Sequence, residues 1–176
     1  YFKYNLKKTL KNTDMILYNS EQTKSTTEEF FPEAKSIANV NAYIISNPVK
    51  KQWDNKDDDY FLYVGNMEKR KGVDLLIKGY LQYKSRGGKK KLILGGKMQE
   101  EEINQIVRSA MMLDEDITYL DYVTHDKKHE LYASMSAFVF PSKAEGFGMP
   151  IIEVMRFKKP IIASNLPIFD EITDGN

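Results

Sequence analysis

Residues 60–80, YFLYVGNMEKRKGVDLLIKGY, contain the clearest local pattern in the chain. They open with YFLYVG (60–65), an apolar run rich in aromatic residues that is typical of a strand covered on both faces. After the turn NMEKRKG, apolar residues recur at positions i, i+3, i+4 and i+7, namely Val73, Leu76, Ile77 and Tyr80. This period indicates an amphipathic helix, so the stretch predicts a strand, a turn and a helix in that order.

Further short apolar runs lie along the chain: DMILYN (14–19), AYIIS (42–46), KLILGG (91–96), ITYLDYV (117–123), AFVFPS (137–142) and PIIAS (160–164). A second helical pattern separates two of them and consists of Ile103, Ile106, Val107 and Ala110. Strands separated by single amphipathic helices predict βαβ units, and therefore a parallel sheet with right-handed crossovers. The sequence predicts an α/β, Rossmann-like three-layer domain.

The composition excludes several classes of function. The chain has 26 Lys and Arg against 25 Asp and Glu, for a net charge of +1, and we expect no nucleic-acid partner from so even a balance. It contains no cysteine, which excludes disulfides and thiolate chemistry. No apolar run approaches the roughly 18 residues that a membrane span requires.

A change in composition suggests a domain boundary. Asn47-Pro48-Val49 and the charged run KKQWDNKDDD (50–59) predict a linker at residues 47–59. Residues 1–46 are too few for an independent core and are interpreted as the tail of a preceding domain, and residues 60–176 form the main domain. Because the chain begins at Tyr1 and stops soon after a helix has started, we expect it to be a fragment of a longer protein.

Two turns should carry the chemistry, because ligands bind outside the carboxyl ends of the strands in open α/β sheets. The turn after YFLYVG contains Arg70 and Lys71. The turn after AFVFPS contains Glu145 and leads into a helix that carries Glu153. Cations beside a helix N-terminus favour an anion such as a diphosphate.

Two carboxylates beside a diphosphate site are suited to sugar hydroxyls, because each carboxylate can accept two donors. Gly146 and Gly148 would let the backbone between them approach the ligand closely. A nucleotide sugar has hydroxyls at both ends and charge in the middle, which matches this order. The alternative is that Glu153 only complements the helix dipole and that Glu145 is a solvated loop residue.

These residues resemble a known family. EGFGMPIIE (145–153) is similar to the Glu–seven residues–Glu signature of the retaining glycosyltransferases of family 4, which have the two-domain GT-B fold. Other segments resemble the family in order and spacing: YVGNMEKRKGVDLLIKGY, KLILGGK, YLDYVTHDKKHELYASMSAFVFPS and KPIIASNLPIFDEI in the donor-binding domain, and TDMILYNSEQTK and YIISNPV at the end of the preceding one. The resemblance covers nearly the whole chain.

The resemblance implies a role for each site residue. Arg70 and Lys71 would neutralise the donor diphosphate and stabilise the leaving group. Glu145 would contact the transferred sugar, and Glu153 the ribose hydroxyls. The other implied donor-binding residues are Gly65, Asn66, Tyr122, Val123, Gly146, Phe147, Gly148, Met149 and Pro150, with Tyr122 and Val123 holding the base through main-chain groups.

The resemblance also implies an activity: metal-independent transfer, with retention, from a UDP- or GDP-sugar to a glycan or lipid-linked acceptor in surface polysaccharide or glycolipid biosynthesis. No cofactor is expected. The enzyme would be cytoplasmic, attached peripherally at the inner face of the membrane through parts outside this chain, and the chain alone should be inactive. The alternatives are another GT-B enzyme, such as a nucleotide-sugar 2-epimerase or a sucrose-type synthase, and a non-catalytic nucleotide-sugar-binding subunit.

The chain departs from the family pattern at three places. Asn66 stands where an arginine is frequent, Asp121 where a glycine is common, and Asn47-Pro48 where Asn-Gly is usual at the hinge.

Three patterns imitate metal sites. The acidic runs 57–59 and 114–116 precede strands, at the wrong end of a parallel sheet for a ligand. His125 and His129 have zinc-helix spacing, but lysines lie between them and no third ligand is evident. We expect no metal site.

Overall fold

The computed structural model describes residues 2–42 and 56–175. In chain order the helices and strands are α1 (Phe2–Leu10), β1 (Met15–Tyr18), α2 (Glu21–Phe30), β2 (Ala38–Asn41), β3 (Tyr60–Val64), α3 (Val73–Ser85), β4 (Lys91–Gly95), α4 (Glu101–Leu113), β5 (Ile117–Leu120), α5 (His125–Ser134), β6 (Ala137–Phe140), α6 (Met149–Met155), β7 (Ile161–Ala163) and α7 (Pro167–Thr173). Short 3₁₀ turns occupy Pro32–Ser36 and Lys69–Lys71.

The described residues divide into two compact units. The first contains residues 2–42, 145–148 and 165–175, and the second contains residues 56–144 and 149–164. Residues 47–55 of the predicted linker lie outside the described residues.

The first unit is built on the parallel pair β1–β2, in which Met15 lies opposite Ala38. Leu10, Phe31 and Ala34 form its buried cluster. The N-terminus of α2 is capped within the unit, because the carboxylate of Glu171 accepts hydrogen bonds from the backbone N–H groups of the first two residues of α2 at 2.8 and 3.0 Å. This carboxylate satisfies donors that a helix cannot pair internally.

The second unit is built on a five-stranded sheet in the order β5-β4-β3-β6-β7, and every pairing is parallel. The chain moves from β3 outward through β4 to β5, and then returns to the other side of β3 for β6 and β7. The topological switch point therefore lies between β3 and β6, which is where open α/β sheets form their ligand crevice. The predicted α/β fold with a parallel sheet is confirmed.

The helices pack on this sheet through the apolar faces that the sequence indicates. Val73, Leu76, Ile77 and Tyr80 of α3 are all buried, as are Leu62 and Phe138 in the central strands. In α4, Ile103, Val107 and Ala110 are buried, which are three of the four positions that predict this helix. Central strands buried on both faces are expected of a parallel sheet with helices on each side.

Some boundaries differ from the sequence-based expectation. The strand predicted at 117–123 ends at Leu120, and the one predicted at 42–46 falls outside the described residues except for Ala42, which is not in a strand. β2 instead occupies Ala38–Asn41, immediately before it. The sequence analysis does not predict α1, whose nine residues include three lysines.

Candidate functional site

The turn after β3 is held by hydrogen bonds to main-chain carbonyls. The N–H of Gly65 donates to the carbonyl of Gly95 at 2.9 Å, and the buried Tyr63 hydroxyl donates to the carbonyl of Asn66 at 2.8 Å. The chain then forms the 3₁₀ turn Lys69–Lys71 and enters α3 through Gly72. Gly65 and Asn66 therefore lie at the carboxyl edge of the sheet, as predicted.

This turn is in direct contact with the turn after β6. Gly72 has a φ of 70°, and a Cβ atom placed on it would lie only 2.0 Å from the carbonyl oxygen of Pro141. The N–H of Lys143 donates to the carbonyl of Arg70 at 2.8 Å, and Arg70 Nη1 donates to the carbonyl of Ala144 at 2.7 Å. The two turns that the sequence assigns to one edge of the sheet are therefore packed and hydrogen-bonded to each other at the switch point.

The two predicted cations project from this contact. Arg70 is about half exposed, with 48% of its side chain accessible, and pairs with Glu68 at 2.7 Å. Lys71 is half-buried, and its Nζ lies 5.5 Å from the centre of the Phe140 ring. An ammonium over an aromatic face is attracted by the negative face of the ring, which restricts where the lysine can point. Both cations are thus held near the switch point without burial of their charge.

The helix after this turn positions Glu153. α6 begins at Met149, and Met149 and Pro150 are half-buried. One helical turn further on, the Glu153 carboxylate lies 2.8 Å from Lys128 Nζ and accepts a hydrogen bond from the Tyr132 hydroxyl at 3.1 Å. Sequence reasoning missed both of these partners from α5, because no local pattern links them to Glu153.

The turn after β5 contains the predicted base-binding residues. Tyr122 is 71% exposed, whereas Val123 is half-buried. Val123 packs closely on Gly95, because a Cβ atom added to Gly95 would lie 2.8 Å from Val123 Cγ2. Thr124 follows as the N-cap of α5, and its hydroxyl accepts a hydrogen bond from the N–H of Lys127. Tyr122 and Val123 therefore lie at the carboxyl edge of the five-stranded sheet.

The remaining predicted residues, Glu145, Gly146, Phe147 and Gly148, belong to the first unit. The Thr23 hydroxyl donates to the carbonyl of Gly146 at 3.0 Å. Gly148 has a φ of 95°, and a Cβ atom there would lie 2.9 Å from Phe169 Cε1. A side chain at this position would therefore be strained and crowded, so the turn requires glycine.

The acidic runs at the opposite edge of the sheet are paired with lysines. Lys84 lies 2.6 Å from Asp116, and Lys90 lies 2.8 Å from Asp59. The hydrogen bond from Lys84 holds the pKa of the Asp116 carboxyl below its ordinary value. Both runs precede strands, as the sequence indicates, and within residues 2–42 and 56–175 no three histidine, aspartate or glutamate side chains converge as metal ligands.

The histidine pair lies on α5. The rings of His125 and His129 are 4.2 Å apart between centroids, and His129 is buried against Phe157. Burial, followed by the nearby His125 and Lys128, lowers the pKa of His129. The pair is therefore a packed feature of α5, with His129 favoured in its neutral form.

Solved structures share this architecture. The crystal structure of Anabaena HepE in complex with UDP and glucose superimposes on the chain with a TM-score of 0.73, covers 97% of this chain and 50% of that one, and is 17% identical in sequence. The likeness establishes the fold, which is that of the GT-B glycosyltransferases. Residues 46–175 match the family model described as "Glycosyl transferases group 1", and the chain belongs to this family.

Two curated proteins resemble the chain in sequence. The O-antigen chain mannosyltransferase RfbU of Salmonella typhimurium is 27% identical over 179 residues, which is 99% of this chain and 49% of the relative. The O-antigen chain mannosyltransferase B of Escherichia coli is 32% identical over 127 residues, or 71% of this chain and 33% of the relative. The chain thus spans about half or less of the length of the curated relatives that it matches.

None of the helices in the part of the chain that the structure describes combines the length and apolar composition needed to cross a bilayer.

Proposed function

We propose that the chain forms the donor-binding side of a retaining, metal-independent glycosyltransferase, which moves a sugar from a UDP- or GDP-sugar to a glycan or lipid-linked acceptor in surface polysaccharide or glycolipid biosynthesis. The observation that carries the proposal is that the turns after β3 and β6 are hydrogen-bonded to each other at the switch point, with Arg70 and Lys71 projecting from the contact. Family membership and the O-antigen relatives support the reaction class.

Each residue has a proposed task. Arg70 and Lys71 bind the diphosphate and stabilise the charge that develops on it as the sugar leaves. Glu153 accepts the ribose hydroxyls, and main-chain groups of Tyr122 and Val123 hold the base. Glu145 orients the transferred sugar and is an electrostatic residue, with no covalent intermediate assigned to it.

The absence of a metal requirement is part of the proposal. Cationic side chains can supply the charge stabilisation that a divalent ion gives to a leaving diphosphate, and Arg70 and Lys71 are the cations proposed for this task. The acidic runs 57–59 and 114–116, which imitate metal-binding motifs, contain aspartates already paired with Lys90 and Lys84. The proposed location is cytoplasmic, at the inner face of the membrane.

Isothermal titration calorimetry of the chain with UDP-, GDP- and ADP-sugars tests the donor site. We expect saturable binding of one nucleotide class without added metal, unchanged by a chelator, and no transfer by the chain alone. Lys71→Ala should weaken this binding, and Lys78→Ala is the matched control, because Lys78 is exposed on α3 away from the turns. Flat titrations with every nucleotide sugar would refute the donor site.

Retention is tested in the full-length enzyme. Nuclear magnetic resonance of the first product should show the same anomeric configuration as the donor sugar, and an inverted product would refute that part of the proposal. Product formation without an acceptor would instead indicate an epimerase-type reaction.

A further inference from the structure

The Glu153 carboxylate is held by two partners from one helix. Lys128 Nζ lies 2.8 Å from both carboxylate oxygens, and the Tyr132 hydroxyl donates to Oε2 at 3.1 Å. Lys128 and Tyr132 are one turn apart on α5, so they meet α6 on the same face. The Glu153 carboxylate is therefore bound from one side by the Lys128 ammonium and the Tyr132 hydroxyl, and these two contacts are called the grip below.

The grip is largely shielded from solvent. The side chains of Lys128 and Glu153 are only 18% and 21% exposed, and Tyr132 is fully buried. The Tyr132 ring packs edge-on against Phe138, with centroids 5.7 Å apart, which fixes its hydroxyl. Burial, with the adjacent Glu153, raises the pKa of Tyr132 well above its ordinary value, so the hydroxyl remains a hydrogen-bond donor at every working pH.

From this geometry we infer that Lys128 and Tyr132 are positioning residues, which hold the Glu153 carboxylate in the orientation that accepts a ribose hydroxyl. The inference rests on the proposed donor-binding function. A carboxylate offers about four acceptor directions. Lys128 uses one on each oxygen and Tyr132 uses a second on Oε2, which leaves a direction on Oε1 for a hydroxyl.

Two physical effects follow from the grip. A flexible glutamate loses rotamer freedom when it binds a ligand, and ordering such a side chain in advance improves affinity by about two- to tenfold. A bare carboxylate would also repel an anionic nucleotide, and the ammonium of Lys128 offsets that charge. The first effect requires the hydrogen bond from the ribose to Glu153, so it should appear as preference for a ribose hydroxyl over hydrogen, whereas the second effect changes the affinity for both forms alike.

The test compares nucleotides that differ by one hydroxyl. Calorimetry of the chain gives dissociation constants for UDP and GDP and for their 2′-deoxy and 3′-deoxy forms. The wild type should prefer the complete ribose by about tenfold or more, the usual effect of one hydrogen bond to a charged group. In Lys128→Met this preference should fall several-fold, and in Tyr132→Phe by a smaller factor.

Two variants separate positioning from other roles. Lys128→Arg keeps the cation and should restore most of the preference. Lys127→Met makes the same chemical change one residue away, on a lysine that pairs with Glu130 at 2.8 Å, and should leave the preference unchanged. Thermal unfolding of every variant reports stability separately, and Tyr132→Phe retains the buried ring, so it should fold.

Each remaining outcome decides the question. An unchanged preference in Lys128→Met, whatever its melting temperature, would overturn the inference. An equal loss of affinity for the ribose and deoxyribose forms would show that Lys128 acts only through its charge or by contacting the donor itself, which also overturns the inference. Wild-type binding without ribose preference removes the inference and leaves nucleotide binding intact, whereas no binding to any nucleotide removes the proposed function.

Discussion

Replacing Gly72 with alanine should destabilise the second unit strongly. Gly72 has a φ of 70° and a ψ of 24°, which is the left-handed region, and an L-residue there costs about 1–2 kcal/mol. The new Cβ would lie 2.0 Å from the carbonyl oxygen of Pro141 and 2.8 Å from its carbon. Both are backbone atoms that must move to relieve the overlap, and overpacking of this kind costs about 1–3 kcal/mol. The expected loss is about 2–5 kcal/mol.

The chain offers a matched control in the helix that Gly72 begins. Gly79 lies in the interior of α3, and a Cβ atom placed there meets nothing within 4 Å. Alanine is favoured over glycine in a helix interior by about 0.5–1 kcal/mol, so Gly79→Ala should stabilise the unit. The same chemical change should therefore have opposite signs at two positions of one element.

Urea unfolding followed by far-ultraviolet circular dichroism measures both effects. With a typical slope of about 1–3 kcal/mol per molar urea, the Gly72→Ala midpoint should fall by about 1 M or more and the Gly79→Ala midpoint should rise slightly. A Gly72→Ala midpoint equal to or above that of the wild type would refute the reasoning, because it would mean that the Pro141 carbonyl can move without cost.

The remaining predictions concern pH and the proposed site. Burial lowers the pKa of His129 below its usual value near 6.5, so the unfolded state binds a proton before the folded state does as the pH falls. The free energy of unfolding should therefore decrease below about pH 6.5. In His129→Gln, unfolding measured across this pH range should show a weaker dependence on pH. Lys71→Ala should weaken nucleotide-sugar binding by about 10- to 100-fold in calorimetry, since it removes a charged hydrogen-bond donor. Glu145→Ala should abolish transfer by the full-length enzyme in a radiolabelled-donor assay, and should weaken nucleotide binding little.

The histidine prediction has a matched control, and each of the three predictions has an outcome that would refute it. His125→Gln should keep most of the pH dependence, because burial is the main cause of the shift at His129 and His125 is exposed. A His129→Gln slope equal to that of the wild type would contradict the assignment. Unchanged binding in Lys71→Ala, or wild-type transfer rates in Glu145→Ala, would refute the corresponding role.

Local patterns in the sequence were sufficient for the strands of the five-stranded sheet and for the helices α3, α4 and α6. The apolar period in α3 is set by the 3.6-residue turn, and the continuous apolar runs are set by burial on both faces, so both can be read without knowing any partner. The elements that escaped prediction depend on a neighbour instead. β2, whose sequence is ANVN, has poor strand composition and forms by parallel pairing with β1, while α1 places Leu10 in a buried cluster with Phe31 and Ala34.

The site divides in the same way. The placement of Arg70 and Lys71 at the carboxyl edge follows from their position after a strand, because parallel strands all end at one edge of a sheet. Only the tertiary structure shows that Gly72 packs on Pro141 and that Lys128 and Tyr132 donate hydrogen bonds to Glu153. These partners are far apart in sequence, and they meet only because helices and turns from separate βα units pack at fixed distances on one sheet. Periodicity within a segment contains no information about such distances.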